Sequence, residues 1–321
     1  MDRVSTSNIL EENIVMKISN IETDITDHCN LSCADCSHHS PYITKGFYDI
    51  NQFERDINTI AHRVQCEWFK ILGGEPLLNT NIEQYIDILR SSGICNKIAI
   101  FTNGTLLHRV SIDTFKDVDC VVVSRYPGTG KYKNLITTNV ERLREHVDVI
   151  HNYYDTFEAQ NFLTVNDSVE LVQQIFDRCK LRYECNAIYK GYFYKCIACQ
   201  RKGQFLSKHG VNDLKLSDPA VDGISIYADN FTEQFIKYYY SNEPLYACRY
   251  CTGSSGRDVA HSNKLTKPST AVNDVICKDK LKLPPVCESQ SISFLQADII
   301  SRTTSVSGRE FIDNDGLSHD I

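Results

Sequence analysis

The sequence predicts an α/β fold built on parallel strands, and three observations predict it. Strand-like and helix-like segments alternate with connections of only a few residues from residue 16 to about residue 178. Polar and thiol residues gather where the predicted strands end, the place where chemistry collects in such folds. The alternation then stops, and a cysteine- and tyrosine-rich stretch follows.

Each element has its own signal. MKISNIETDIT (16–26) mixes alternating and β-branched residues and predicts a first strand that runs into Cys29. NQFERDINTIAHRV (51–64) places Phe53, Ile57 and Ile60 at helical spacing. WFKIL (68–72) is a short apolar run closed by Gly73-Gly74, the pattern of a buried strand. IEQYIDILRSSG (82–93) predicts a helix stopped by Gly93. NKIAIFTNG (96–104) predicts a strand, VSIDTFKDV (110–118) a short helix and DCVVVSRYPG (119–128) a strand. A helix over 135–146, a strand over 147–155 and a helix over 166–178 complete the series. Beyond it, ECNAIYKGYFYKCIAC (184–199) predicts a hairpin turning at Gly191, and FTEQFIKYYYSN (231–242) a helix. From about residue 260 the chain is polar with little periodicity, so 260–321 is expected to be a poorly ordered tail or a wrapping arm.

Composition narrows the class. With 321 residues, 42% hydrophobic, the chain can bury one large domain and a small appendage, or two ordinary domains. A net charge of −7 argues against a protein that lives on nucleic-acid phosphates. No stretch has the length of a membrane span, and MDRVSTSNILEENIVMK does not resemble a secretory signal, so a cytoplasmic chain is expected. Fourteen cysteines are then the outlier. Reducing compartments disfavour disulfide scaffolds, so clustered cysteines point to metal or catalysis.

Cys29, Cys33 and Cys36 share one short loop after the first strand. Three thiolates can hold three irons of a [4Fe–4S] cube and leave the fourth iron open, the condition for a reactive centre. The competing reading is zinc with His38 or His39 as fourth ligand. The order C-x3-C-x2-C, then Gly-Gly-Glu-Pro (73–76) after the second strand, then Thr-Asn-Gly (102–104) after the third, resembles the radical S-adenosylmethionine (SAM) superfamily. The resemblance implies a partial (β/α)6 TIM-like barrel. It makes Cys29, Cys33 and Cys36 ligands of a SAM-binding [4Fe–4S] cluster. It sets Gly73, Gly74 and Glu75 at the amino end of SAM, with Asn103, Ser124 and Arg125 as further cofactor contacts. Members commonly carry an aromatic residue just before the third cysteine, whereas Asp35 stands there in this chain.

A second group of thiols lies further on. Cys185 and Cys196 flank the predicted hairpin, and Cys248 and Cys251 form a C-x2-C. Two such pairs suit a second cluster or a zinc ribbon. Cys179 and Cys199 compete with them as ligands. The pattern resembles the twitch domain, a shortened relative of the SPASM domain, and this implies an auxiliary [4Fe–4S] cluster on Cys185, Cys196, Cys248 and Cys251. The implied organisation is a barrel over 1–178, a twitch-type iron–sulfur domain over 179–259 and the tail over 260–321. Cys277 and Cys287 in the tail stand too far apart to count as ligands.

Function follows from the resemblance. SAM is split to a 5′-deoxyadenosyl radical that takes a hydrogen atom from substrate, with flavodoxin or ferredoxin as electron donor. The first expectation is oxidation or epimerisation of a small polyhydroxylated molecule, such as a sugar or aminocyclitol, with Cys199 as candidate hydrogen donor. The second is modification of a short precursor peptide, for which Tyr192, Tyr194 and Tyr238 to Tyr240 could frame a groove. The third is a non-enzymatic zinc-binding adaptor.

Overall fold

The computed structural model describes residues 15–286; the first residues, Cys287 and the rest of the tail lie outside that range. In chain order the main elements are β1 (Met16–Thr26), α1 (Ile50–Ala61), β2 (Val64–Gly73), α2 (Ile82–Ser92), β3 (Cys95–Thr102), β4 (Cys120–Arg125), α3 (Lys133–Arg144) and β5 (Asp148–Tyr153). Then come β6 (Thr156–Glu158), α4 (Val169–Asp177), α5 (Leu181–Glu184), β7 (Ala187–Tyr189), β8 (Tyr192–Tyr194), α6 (Cys199–Lys208), β9 (Gly223–Ser225), α7 (Phe231–Tyr240) and β10 (Asp258–Ala260). β2 starts earlier than its apolar run because Val64 and Cys66 pair with Met16 and Ile18 in the parallel ladder. The segment 110–118 is a single 3₁₀ turn over Ile112–Phe115. Phe115 and Val118 are buried in the main core there, with Val110 and Ile112 partly buried against it.

One eight-stranded sheet runs in the order β5-β4-β3-β2-β1-β7-β8-β9. β1 to β5 pair in chain order and in parallel. Ile21, Ile25, Phe69, Ile71, Ile98, Ile100, Val121 and Val123 point to one face, where they share a single core with residues of α1, α2, α3 and α7. Sequential parallel strands with the helices on one side form a singly wound α/β sheet, the topology of a partial (β/α) barrel rather than a doubly wound fold. The opposite face carries a small cluster of Trp68, Ala99, Cys120, Val122 and Ile150, and above it toward the strand ends the polar residues Glu22, Asp24, Lys70 and Asn152.

The sixth parallel strand, β7, lies beside β1 rather than beyond β5. It pairs through Glu22 and Ala187, with the Glu22 N–H donating to the Asn186 carbonyl at 2.7 Å and the Thr23 hydroxyl to Ile188 O at 2.8 Å. β7, β8 and β9 then run antiparallel, so the cysteine-bearing hairpin extends the barrel sheet itself. Its turn has positive φ at both Lys190 (46°) and Gly191 (84°), as a type I′ hairpin turn requires. From residue 260 to 286 the chain wraps the body: Leu163 donates to Ser269 O at 3.0 Å, Cys277 to Ser255 O at 2.8 Å and Val286 to Asp177 O at 2.9 Å. Among the described residues no helix is long and apolar enough to cross a membrane.

The hairpin turn sets the register that carries Cys196. Gly191→Ala forces a side chain into positive φ and against Tyr227, whose ring a Cβ would meet at 3.1 Å. We expect a loss of about 1–2 kcal/mol in urea unfolding of the metal-free chain.

Candidate active site with two thiol groups

The carboxyl ends of β1 to β4 meet at one rim. Gly74 N–H donates to Thr26 O at 2.7 Å and Glu75 N–H to His28 O at 3.0 Å, which lays the Gly-Gly-Glu turn across the start of the cysteine loop. The fit excludes side chains: a Cβ at Gly74 would sit 2.1 Å from the His28 carbonyl and 2.6 Å from Cys29 N. Glu75 is buried and its carboxylate accepts from Leu77 N at 3.1 Å, the Thr102 hydroxyl at 2.6 Å and Asn103 N at 2.8 Å. It therefore ties the second strand end to the third. Burial pushes its carboxyl up to about 7 against the pull of those three donors. Asn103 bridges back to the loop, donating to Asn30 Oδ1 at 2.8 Å and lying 3.7 Å from Cys29 Sγ. Ser124 at the end of β4 is buried and hydrogen-bonded to the Tyr126 hydroxyl, while Arg125 is half-buried.

Cys29, Cys33 and Cys36 sit on this rim, near enough for their ionised forms to oppose one another. Burial pushes all three thiols up, Cys33 to about 12, so the metal-free loop holds neutral thiols. Loading a metal must release those protons. Behind the loop, His38 Nδ1 meets Asp24 Oδ1 at 3.0 Å. Burial works against the charged ring, yet the Asp24 carboxylate prevails and raises His38. His39 contacts Asn161 Oδ1 at 3.0 Å, and burial holds it well below the ordinary histidine range. One nitrogen of each ring is thus engaged by a partner other than the thiols.

The second group assembles from three segments. Burial pushes the Cys179 thiol to about 11, with Cys251 adding to the shift. Cys196 feels both Cys179 and Cys251, and Cys248 feels Cys251, Cys179 and Cys196. A Cβ at Gly253 would touch Cys179 Sγ at 2.9 Å, so Cys179 lies on the C-x2-C loop. Asp222 holds that loop by accepting from Ala247 N at 2.8 Å. The thiols that influence one another here are thus Cys179, Cys196, Cys248 and Cys251. Cys185, expected in this set, faces Glu22 and Lys70 on the inner sheet face, with Cys196 a weaker neighbour. It caps α5, its N–H donating to Leu181 O. Cys199 is buried in an apolar cluster with Leu206, Leu245 and Tyr250, and its thiol donates to Cys196 O at 2.8 Å.

Both groups offer only soft thiolate donors, the donor set of iron–sulfur clusters. Among the described residues no three His, Cys, Asp or Glu side chains converge on one point as a single ion requires.

Sequence comparison gives related enzymes over part of the chain. A probable GTP 3′,8-cyclase of Halobacterium salinarum is 28% identical over 105 residues, 31% of this chain and 29% of that one. The GTP 3′,8-cyclase of Rhodopirellula baltica is 25% identical over 138 residues, 38% of each. The antilisterial bacteriocin subtilosin biosynthesis protein AlbA of Bacillus subtilis is 30% identical over 95 residues, 29% of this chain and 20% of that one. The chain thus spans between 20% and 38% of the length of these relatives. No protein-family model matches it. The crystal structure of BtrN in complex with AdoMet and 2-DOIA superposes with a TM-score of 0.40 at 17% identity, over 74% of this chain and 94% of that one, too loosely to speak for detail.

The buried Glu75 carboxyl makes one pH effect measurable. Its folded value of about 7 lies above its ordinary 4.5, so the folded state binds the extra proton and stability falls as pH rises from about 4.5 to about 7. Glu75→Gln should flatten that slope, by on the order of 3 kcal/mol across the window, in urea unfolding of the metal-free chain. An unchanged slope would show that Glu75 stays ionised throughout. The partial sequence likeness, with the three-cysteine loop and the Gly-Gly-Glu turn laid against it, supports the resemblance to the radical S-adenosylmethionine superfamily.

Proposed function

We propose that this chain abstracts a hydrogen atom from a small polyhydroxylated or amino-bearing substrate held against the inner face of the sheet, and that the net result is oxidation. The observation that carries the reading is an ion pair placed where a substrate would lie. Glu22 Oε2 meets Lys70 Nζ at 2.9 Å on neighbouring strands, both side chains nearly buried. Lys70 also donates to the Glu184 carbonyl. Glu22 Oε1 is buried and has no hydrogen-bond partner among the described residues. A buried carboxylate oxygen with a vacant lone pair suits a hydroxyl or ammonium hydrogen of a ligand.

The resemblance to that superfamily implies SAM and a [4Fe–4S] cluster, which Cys29, Cys33 and Cys36 would hold; bound there, they would supply a 5′-deoxyadenosyl radical for hydrogen-atom abstraction. The chain's own residues then do three things. The Gly-Gly-Glu turn gives close backbone approach at the rim, with Asn103 beside the first cysteine. Trp68, Val122 and Ile150 form an apolar floor that keeps water from the inner face. Glu22 and Lys70 fix the polar groups of the substrate and offer Glu22 Oε1 as acceptor for the hydroxyl proton lost on oxidation. Cys179, Cys196, Cys248 and Cys251 would hold a second cluster, an acceptor for the remaining electron beside that face. Modification of a short peptide is the second reading, favoured by the likeness to AlbA.

Two sets of variants test this. Changing Cys29, Cys33 and Cys36 together to Ala should abolish reductive cleavage of SAM to 5′-deoxyadenosine in anaerobic assays; full cleavage in that variant ends the reading. For the second cluster, Cys179→Ala should lower bound iron by about half after reconstitution, whereas Cys185→Ala should keep it. The reverse order would return Cys185 to the ligand set. Deuterium transfer to 5′-deoxyadenosine from a labelled aminocyclitol or sugar, and none from a tyrosine-rich peptide, separates the two substrate classes.

A further inference from the structure

The segment that follows β10 comes back across the rim and touches the first cysteine loop. β10 is anchored on β6, and His261 N–H donates to Asp155 O at 2.9 Å. One residue on, Ser262 O accepts from Ala34 N at 2.9 Å, a backbone clasp directly beside Cys33. The His261 ring is held on two sides. It stacks on Tyr126 with centroids 4.9 Å apart and planes 16° off parallel, and it meets the edge of Phe157 at 4.9 Å. So fixed, its Nε2 lies 3.2 Å from Cys33 Sγ, and Asn263 Oδ1 lies 3.6 Å from the same sulfur.

The tautomer follows from the surroundings. His261 Nδ1 is buried and has no partner among the described residues. A proton on Nδ1 would be an orphaned buried donor, a rarer and costlier state than a bare acceptor. The neutral ring therefore carries its proton on Nε2, facing the sulfur. Hydrogen bonds to cluster sulfurs draw off negative charge, favour the reduced state and raise the reduction potential.

We propose that His261 is a positioning residue for the first cluster, donating Nε2–H to the Cys33 sulfur and so setting how readily that cluster accepts its electron. The inference rests on the reading of Cys29, Cys33 and Cys36 as cluster ligands. It extends that reading to a residue 228 positions away, on a segment outside the strand–helix series.

The test uses the full chain, reconstituted anaerobically, with His261→Phe and His261→Gln. Phe keeps a ring to stack on Tyr126 and removes the N–H; Gln restores an N–H donor. Iron and sulfide are counted, and the reduced cluster is followed by electron paramagnetic resonance at fixed potentials, through the part of the signal that changes when SAM is added. His261→Phe should lower the ratio of reduced to oxidised cluster about tenfold at a given potential, about 59 mV for a one-electron couple, with iron unchanged. His261→Gln should stay within about threefold of wild type. A Phe variant with full iron and the wild-type ratio overturns the proposal. Should the Phe variant load poorly, full loading of the Gln variant supports the donor role and equally poor loading overturns it. A wild-type protein with no SAM-sensitive signal overturns the cluster assignment itself, a result distinct from an unchanged ratio.

Discussion

The arrangement of the two thiol groups depends on one buried guanidinium. Arg201 on α6 reaches Asp24 Oδ2 at 2.8 Å and Asp27 Oδ1 at 2.7 Å, with almost no solvent exposure on any of the three. Tyr189 donates to the same Asp27 oxygen at 2.7 Å. Burial alone would raise the Asp24 carboxyl, yet Arg201 and His38 more than offset it and hold it below the usual carboxylate range. α6 begins at Cys199, just after Cys196, and β1 ends just before Cys29. The ion pairs therefore bolt the segment bearing one thiol group to the segment bearing the other. Losing one partner of such a buried set typically costs about 3–5 kcal/mol, because the remaining charges are left unpaired. Lys202 repeats the device one residue on, donating to Asn161 beside the Cys251 bridge.

The first rim was legible in the sequence because every part of it is local. Cys29, Gly73, Gly74 and Asn103 each follow a strand whose pattern is clear, and parallel sheets bring such strand ends together without further information. The second group was only partly legible. Sequence spacing shows that Cys179 and Cys185 both precede the Gly191 hairpin, but not which one turns toward Cys248 and Cys251. Between them lies α5, a four-residue turn too short to leave a periodic signal. Likewise the position of β7 beside β1 depends on which sheet edge receives the returning chain. The pairing of Glu22 with Ala187 settles it, and nothing in the hairpin sequence announces it.

For the 260–286 segment the sequence left a poorly ordered tail and a wrapping arm both open, and for a different reason. Its residues are polar because most of them lie on the surface, and composition alone resembles that of an unstructured tail. What orders it is largely backbone: bonds to residues 155, 163 and 164 on one side and to residue 34 on the other. Such bonds are indifferent to side-chain type and therefore invisible to pattern. His261 could have been singled out only by its chemistry, as a histidine in an otherwise bland stretch.

The sheet divides its labour between its two faces. One face is apolar from β1 to β4 and, with the helices packed on it, supplies the core. This frees the other face to carry Glu22, Asp24 and Lys70, which a doubly covered sheet could not bury at tolerable cost. Each charge there is matched by another, except for one lone pair of Glu22. A fold selected for stability alone would have filled these positions with apolar side chains, since replacing buried ion pairs with packed hydrophobes is often neutral or favourable. That the polar set lies beneath the cysteine rim, and not elsewhere on the sheet, ties its cost to the site above it.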